Sequence, residues 1–133
     1  MIEPQITTDK EKEYVHKELT EKILSAAFKV HNTLGPGYLE SIYQNAMVVE
    51  LRSFSLKCDT EKTVEIFYNN EKVGEHRLDL VINDKVIVEL KAVSEFHPVH
   101  KAQIISYLKA TRLKIALLLN FGTEKVEYKR FIL

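Results

Sequence analysis

Asp79, Glu89 and Lys91 are the residues of this chain whose types and spacing could do chemistry together. They lie in the segment His76-Arg77-Leu78-Asp79-Leu80-Val81-Ile82, continued by Asn83-Asp84-Lys85 and then by Val86-Ile87-Val88-Glu89-Leu90-Lys91. Both arms alternate apolar and polar residues, the mark of half-buried strands, and the Asn-Asp pair between them is turn chemistry. If residues 83–85 form the loop, Ile82 faces Val86, Asp79 lies opposite Glu89 and Arg77 lies opposite Lys91. One face of the hairpin then carries Leu78, Leu80, Ile82, Val86, Val88 and Leu90, and the other Arg77, Asp79, Val81, Ile87, Glu89 and Lys91. A two-residue turn would shift the register by one and put the two carboxylates on opposite faces. It would also set each strand's apolar residues against the other's polar ones, which the alternation argues against. Like charges directly opposed destabilise a sheet. Stacking two such pairs in succession makes sense if a cation sits between the carboxylates; otherwise this is a solvated face without a role.

Other elements must hold such a hairpin in place. Residues 17–34 read as a helix with Leu19, Ile23, Ala26, Ala27, Val30 and Leu34 in an apolar stripe, stopped by Gly35-Pro36-Gly37. A second helix is predicted over 38–53, with Leu39, Ile42, Tyr43, Ala46, Met47, Val49 and Leu51 mostly inward. Strands are predicted at 60–68, 72–82 and 85–91, forming a meander. A helix at 98–111 with Pro98 at its start follows, then a fully apolar strand at 115–120 and a last strand at 126–132. The order is α-α-β-β-β-α-β-β. The strand–helix–strand unit from residue 85 to 120 calls for a parallel pair, so the fold class is α/β (α+β), a mixed sheet flanked by helices.

Composition narrows the function classes. The chain has 133 residues, 45% hydrophobic and 29% charged, enough for one core without disulfides or structural metals. The division expected is a polar tail over 1–16 and a single domain over 17–133. Cys58 is the lone cysteine, so a disulfide framework and a cysteine-based zinc site are excluded and a reducing compartment fits. Residues 1–14 lack the apolar run of a signal peptide, and the apolar run 115–119 is too short to span a bilayer. Both point to the cytoplasm and away from membranes. Lys/Arg and Asp/Glu each number 19. The halves differ: residues 1–90 hold 11 basic and 16 acidic side chains, residues 91–133 hold 8 and 3, with His97 and His100 in addition. Such asymmetry makes either a local anion-attracting face or a salt-bridged surface.

Asp79, then Glu89-x-Lys91 at the end of the next strand, then a helix carrying Gln103-x-x-x-Tyr107, resembles the PD-(D/E)XK nuclease superfamily. Within it, Gly37-x-x-Glu40-x-x-Tyr43 is similar to the bacterial and archaeal GxxExxY proteins, as are the stretches 76–81, 86–93, 100–103 and 117–121. The likeness runs from about Glu21 to Phe131, and Leu78 stands where many members have proline.

The resemblance implies a PD-(D/E)XK nuclease-like fold and a Mg²⁺- or Mn²⁺-dependent hydrolysis of phosphodiester bonds in DNA or RNA. Asp79, Glu89 and the Leu90 carbonyl would be the ligands, and Glu40 would add a carboxylate to the metal or its water shell. The bland reading of Glu40 is an acid favoured by the helix dipole. Lys91, on the same strand face as Glu89, would orient or deprotonate the attacking water and stabilise developing charge. His100, Gln103 and Tyr107 share a helix face that either contacts a phosphate or nucleobase or is simply partly wet. Arg77 is a phosphate contact or a partner for a carboxylate, Tyr43 a packing residue or a phosphate-side hydroxyl, and Gly37 serves backbone geometry. Nucleic acid is the expected partner. The rivals are a non-catalytic nucleic-acid-binding or protein-interaction module that retains the fold, and a subunit whose hairpin face lies at a homodimer or partner-protein seam.

Overall fold

A computed structural model describes residues 15–133. The tail expected over 1–16, and with it the reading of the N-terminus as leaderless, lies outside the described residues apart from Val15 and His16. Helix α1 (Lys17–Leu34) buries Ile23, Ala26, Ala27 and Val30, the stripe its sequence spacing predicts. It ends where the Gly35 N–H donates to the His31 carbonyl at 2.7 Å, with Gly35 at φ 71°, a conformation that favours glycine.

Helix α2 (Glu40–Ser53) presents Tyr43, Met47, Val48 and Leu51 to the core. The expectation that its other apolar residues also point inward is corrected here: Leu39 is 75% exposed, Ile42 41% and Val49 68%. Tyr43, Met47 and Leu51 recur every four residues and make one stripe toward the sheet. Ile42 and Val49 fall on the outer side of the same helix, and Leu39 precedes its first turn as an extended N-cap.

Strands β1 (Cys58–Tyr68), β2 (Glu71–Ile82), β3 (Val86–Lys91), β4 (Ile115–Asn120) and β5 (Glu127–Ile132) form one sheet in sequential order, with helix α3 (Pro98–Thr111) between β3 and β4. Only β3 and β4 run parallel, paired from Val86–Ile115 to Lys91–Asn120, and the other neighbours are antiparallel. The two parallel strands are buried almost throughout, as strands covered on both faces should be. One face packs Leu80, Ile82, Val86, Val88, Leu90, Ile115, Leu117 and Leu119 against α1 and α2. The other packs Val81, Ile87, Ala116 and Leu118 against Ile104, Tyr107 and Leu108 of α3. Among the described residues no helix is long and apolar enough to cross a membrane.

The hairpin register is the one the alternation predicts: Ile82 faces Val86, Val81 faces Ile87 and Leu80 faces Val88. Asn83 and Asp84 adopt left-handed conformations (φ 51° and 54°), and the Lys85 N–H closes on the Ile82 carbonyl at 3.0 Å, leaving Lys85 as the extra residue that sets the pairing. Asn83 also anchors the turn to Lys57, accepting its N–H at 2.8 Å through the side chain and donating its own N–H to the Lys57 carbonyl at 2.9 Å.

Two details depart from regular alternation. Leu78 belongs to the α3-side core, together with Val81 and Ile87, and not to the face of Leu80 and Ile82. The β1–β2 pairing passes from Thr60–Leu80 to Lys62–Leu78 without a Glu61–Asp79 pair, and Glu61 is left-handed at φ 53°. The register is the same on both sides of this gap. The β2–β3 ladder also ends at Leu80–Val88, so the expected stacked pairs Asp79–Glu89 and Arg77–Lys91 are not made as ladder pairs.

Candidate metal centre and its surroundings

Where the ladder ends, the Asp79 carboxylate takes over from the backbone: its Oδ2 accepts the Leu90 N–H at 3.0 Å. That bond ties β2 to β3 beyond their last paired residues and orients the Asp79 side chain toward β3. Glu89, in the middle of a buried strand, is only 5% exposed, and its Oε2 is buried with no hydrogen-bond partner. A buried carboxylate oxygen without a partner is costly. Burial, and then the neighbouring Asp79 carboxyl, push the Glu89 carboxyl up to about 9, while Lys91 opposes the rise and Glu40 adds to it. Apart from a cation, the group is thus held in its protonated form at neutral pH.

The same charges locate the other candidates. Glu40, exposed in the first turn of α2, acts electrostatically on both Glu89 and His100. Lys91, half-buried at the end of β3, also acts on both. His100 is held below its ordinary range, first by burial and then by Lys91 and His97. It caps α3 by accepting the His97 N–H on Nδ1 at 3.1 Å, while the His97 Nδ1 accepts the Val99 N–H at 3.1 Å. Glu40, Asp79, Glu89, Lys91 and His100 are therefore gathered at the open end of β3, from four elements, α2, β2, β3 and α3.

The remaining expectations fare differently. Tyr107 is 4% exposed and packs in the α3-side core, with its ring edge-on to His76 at 4.8 Å. Burial raises its phenol pKa, and the charges of Glu89 and Asp79 raise it further. The helix face of His100, Gln103 and Tyr107 is thus graded, with His100 and Gln103 half-buried and Tyr107 enclosed beneath the carboxylates. Arg77 is turned away: its Nε pairs with Glu61 Oε2 at 2.6 Å on an exposed part of the β1–β2 ribbon. Tyr43 is fully buried, stacked on Phe121 at 4.7 Å, and its hydroxyl donates to the Gly35 carbonyl at 2.5 Å and accepts the Tyr38 N–H at 3.2 Å. Of its two readings, packing is the one this environment supports, because no substrate oxygen reaches a hydroxyl enclosed in this way. Gly37 sits at φ 111°, which a side chain would strain. Tyr43 and the glycines thus fix the entry into α2 and so the place of Glu40. The polar face of the hairpin lies largely under α3, with Glu89 buried.

One residue with a structural claim on the site was not singled out from sequence. Asn120 is fully buried and stands beside Lys91 in the parallel pair. Its Oδ1 accepts the N–H groups of Val93 and Gly122, each at 3.0 Å, and its Nδ2 donates to the Val93 carbonyl at 2.9 Å. The Phe121 N–H donates to the Lys91 carbonyl at 2.8 Å, and a Cβ at Gly122 would overlap the backbone of Ala92 and Val93. Together these clamp the chain directly after Lys91. An asparagine ending an otherwise apolar strand was the available signal, because a buried amide must find several partners.

Two carboxylates at a strand end fit the chemistry of Mg²⁺ or Mn²⁺, hard cations held by one or two carboxylates together with waters and substrate oxygens. Among the described residues no three His, Cys, Asp or Glu side chains converge into a closed metal cluster. A dedicated protein cage is therefore not what this site offers; Glu40 lies within electrostatic reach of Glu89 without completing one.

A search of curated proteins finds none that matches. Among solved structures, the crystal structure of SSO0001 aligns with a TM-score of 0.55 at 19% identity, over 91% of this chain. The chain spans 60% of that structure's length, and at this identity the likeness concerns the fold alone. The family model of the PD-(D/E)XK nuclease superfamily matches residues 17–131. The mixed sheet with its flanking helices, and a match that covers every described helix and nearly the whole sheet, lead to one conclusion: the chain belongs to the PD-(D/E)XK nuclease superfamily.

Proposed function

We propose that the chain is a divalent-metal-dependent nuclease that hydrolyses phosphodiester bonds in DNA or RNA, and that within its superfamily it is of the GxxExxY type. The observation that carries this reading is Glu89: a carboxylate enclosed in a central strand, one oxygen unpaired, beside Asp79 and two residues before Lys91. Membership of a nuclease superfamily supports it. Fold alone would not, since one architecture serves many activities.

Mg²⁺ or Mn²⁺ would be held by Asp79, Glu89 and the Leu90 carbonyl, with Glu40 adding a carboxylate or fixing a water of the shell. Such an ion supplies charge neutralisation at the phosphoryl group and a water of lowered pKa. Asp79 keeps its place through the Leu90 N–H, which its Oδ2 accepts. Lys91, fixed by the Asn120 clamp behind it, orients or deprotonates the attacking water and stabilises charge on the phosphoryl oxygens. His100 and Gln103 line the wall from α3 and contact a phosphate or a base. Tyr107 acts from beneath, as a phenol packed under the carboxylates. The protein acts in the cytoplasm, where its single cysteine stays reduced.

Titration calorimetry with Mn²⁺ and Mg²⁺ on the native protein, Asp79→Asn and Glu89→Gln tests the site before any substrate is chosen. Binding that vanishes in both folded variants is the expected result. Absence of binding to the native protein, even with an added oligonucleotide, refutes the metal-dependent reading and leaves a non-catalytic module.

A further inference from the structure

The basic excess of residues 91–133 has two readings, an anion-attracting face or a salt-bridged surface, and the ion pairs decide between them. Every ion pair between described residues lies within residues 18–84. Lys101, Lys109 and Lys129, all exposed, form none among the described residues. Helix α3 carries much of the imbalance, since it contains no acidic residue. Its first turn, where the helix dipole favours anions, holds His100 behind the His97 cap, with Lys101 directly after it. A helix begun with basic side chains gives up stability that a bound anion would return.

Beside that turn, between α3 and the edge strand β5, lies a cavity of about 250 Å³. Phe96, Leu118 and Phe131 supply its apolar wall, and His97, Lys101 and Lys129 its polar wall. The Lys129 ammonium stands 5.3 Å from the centre of the Phe96 ring, so one cation is already held over an aromatic face. Leu118 and Lys129 are paired in the β4–β5 ladder, which turns both toward α3. No carboxylate lines the cavity. Glu95 precedes Phe96 outside it, and Glu127 is engaged by Asn120, whose Nδ2 donates to it at 3.4 Å. A shallow furrow continues from Lys101 past Ile105 to Lys109, about two turns along α3. His100 and Tyr107 lie on the other flank of the helix, toward His76 and the candidate metal centre. The first turn of α3 therefore stands between that centre and the cavity.

We propose that this groove holds a single strand of nucleic acid outside the candidate metal centre, with Lys101 and Lys129 on its phosphates and one unstacked base against Phe96 and Phe131. The inference rests on the reading of the chain as acting on nucleic acid, and adds which surface leads the strand to the site. Cations beside an aromatic wall suit an anion that carries a flat ring, and every base of a single strand offers one. A duplex keeps its bases stacked and brings phosphates and groove edges alone, so it would leave the apolar wall uncovered. Lys109 extends the contact along α3 by a further phosphate.

Fluorescence anisotropy of a labelled single-stranded oligonucleotide, in chelator and at low salt, tests the groove on the full chain without metal. The native protein is expected to bind it more tightly than a duplex of the same sequence. Lys101→Ala combined with Lys129→Ala is expected to weaken binding at least about tenfold and to flatten the slope of log K against log salt by about 1.4, since each phosphate contact to a single strand contributes about 0.7. Should that pair fail to fold, Lys101→Gln alone is expected to flatten the slope by about 0.7. Phe96→Leu keeps the wall apolar but removes its ring, and is expected to weaken single-strand binding about fivefold or more with the slope unchanged. Lys22→Ala, on α1 across the sheet, is the control and should change neither. All these variants should bind Mn²⁺ as the native protein does, so a strand bound without Mn²⁺ binding refutes the metal centre and leaves the groove standing. The proposal is overturned if the native protein fails to bind the strand or prefers the duplex. It is overturned equally by native-like binding in the lysine pair or in Phe96→Leu, or by a loss in Lys22→Ala as large as in the lysine pair.

Discussion

Replacing Glu89 by glutamine should make the metal-free protein more stable at neutral pH. In the fold this carboxyl is displaced from 4.5 to about 9, chiefly by burial and next by Asp79. A folded-state pKa raised above the unfolded value means that the native protein holds a proton which the unfolded chain releases. The associated stability is complete below about pH 4.5 and is lost progressively as the pH rises toward about 9. Each unit in that window costs about 1.4 kcal/mol, so by pH 7 the native glutamate has forfeited about 3 kcal/mol of folding stability. Glutamine has nearly the same shape and does not titrate. Denaturant unfolding in chelator should therefore give similar stabilities for the two proteins near about pH 5 and a gap of roughly 3 kcal/mol in favour of Glu89→Gln near about pH 7. Adding Mn²⁺ at a hundred times its dissociation constant should restore about 2.7 kcal/mol to the native protein and nothing to the variant. Parallel pH profiles, with no widening gap, would refute the reasoning, because a Glu89 carboxyl with an ordinary pKa has no such penalty to lose.

Three further outcomes follow from the same geometry. Lys91→Ala should lower the rate of phosphodiester cleavage by roughly a hundredfold or more while Mn²⁺ still binds; rate measurements beside calorimetry check this, and unchanged cleavage would remove Lys91 from the reaction. Asn120→Ala leaves the Val93 and Gly122 N–H groups and the Val93 carbonyl without their side-chain partner, and should cost about 2–4 kcal/mol in chemical denaturation, since each buried unmet group costs about 1–3 kcal/mol. Phe121→Ala empties the ring stack on Tyr43, with an expected loss of about 3–5 kcal/mol in the same assay; a loss below about 1 kcal/mol would mean that the stack does not anchor the entry into α2.

Much of this molecule was readable without its fold. Helices α1 and α3 and strand β4 fall where periodicity and punctuation place them, since a buried stripe, a glycine stop and a proline start are local signals. The register of the β2–β3 hairpin was legible for a related reason: with a period of two, only one pairing puts both apolar sets on the same side. That register brings Asp79 and Glu89 to one end of the sheet, and with them the candidate metal centre.

Other features depend on what lies across space. Leu78 packs on the α3 side with Val81 and Ile87, although strict alternation puts it with Leu80 and Ile82, and nothing beside Leu78 in the sequence announces that. Tyr107 looked like one member of a polar helix face until α3 settled on the sheet and enclosed it. Leu39, Ile42 and Val49 are as hydrophobic as the residues that α2 buries, and only the placement of α1 and the sheet decides which stripe is left outside. Asn120 acquires its role through partners 27 residues away. Sequence pattern determined which residues share a strand or helix face, because that is set by bond geometry within a few residues. Tertiary structure decided which of those faces met protein and which were left exposed, because burial is a property of what arrives from elsewhere in the fold.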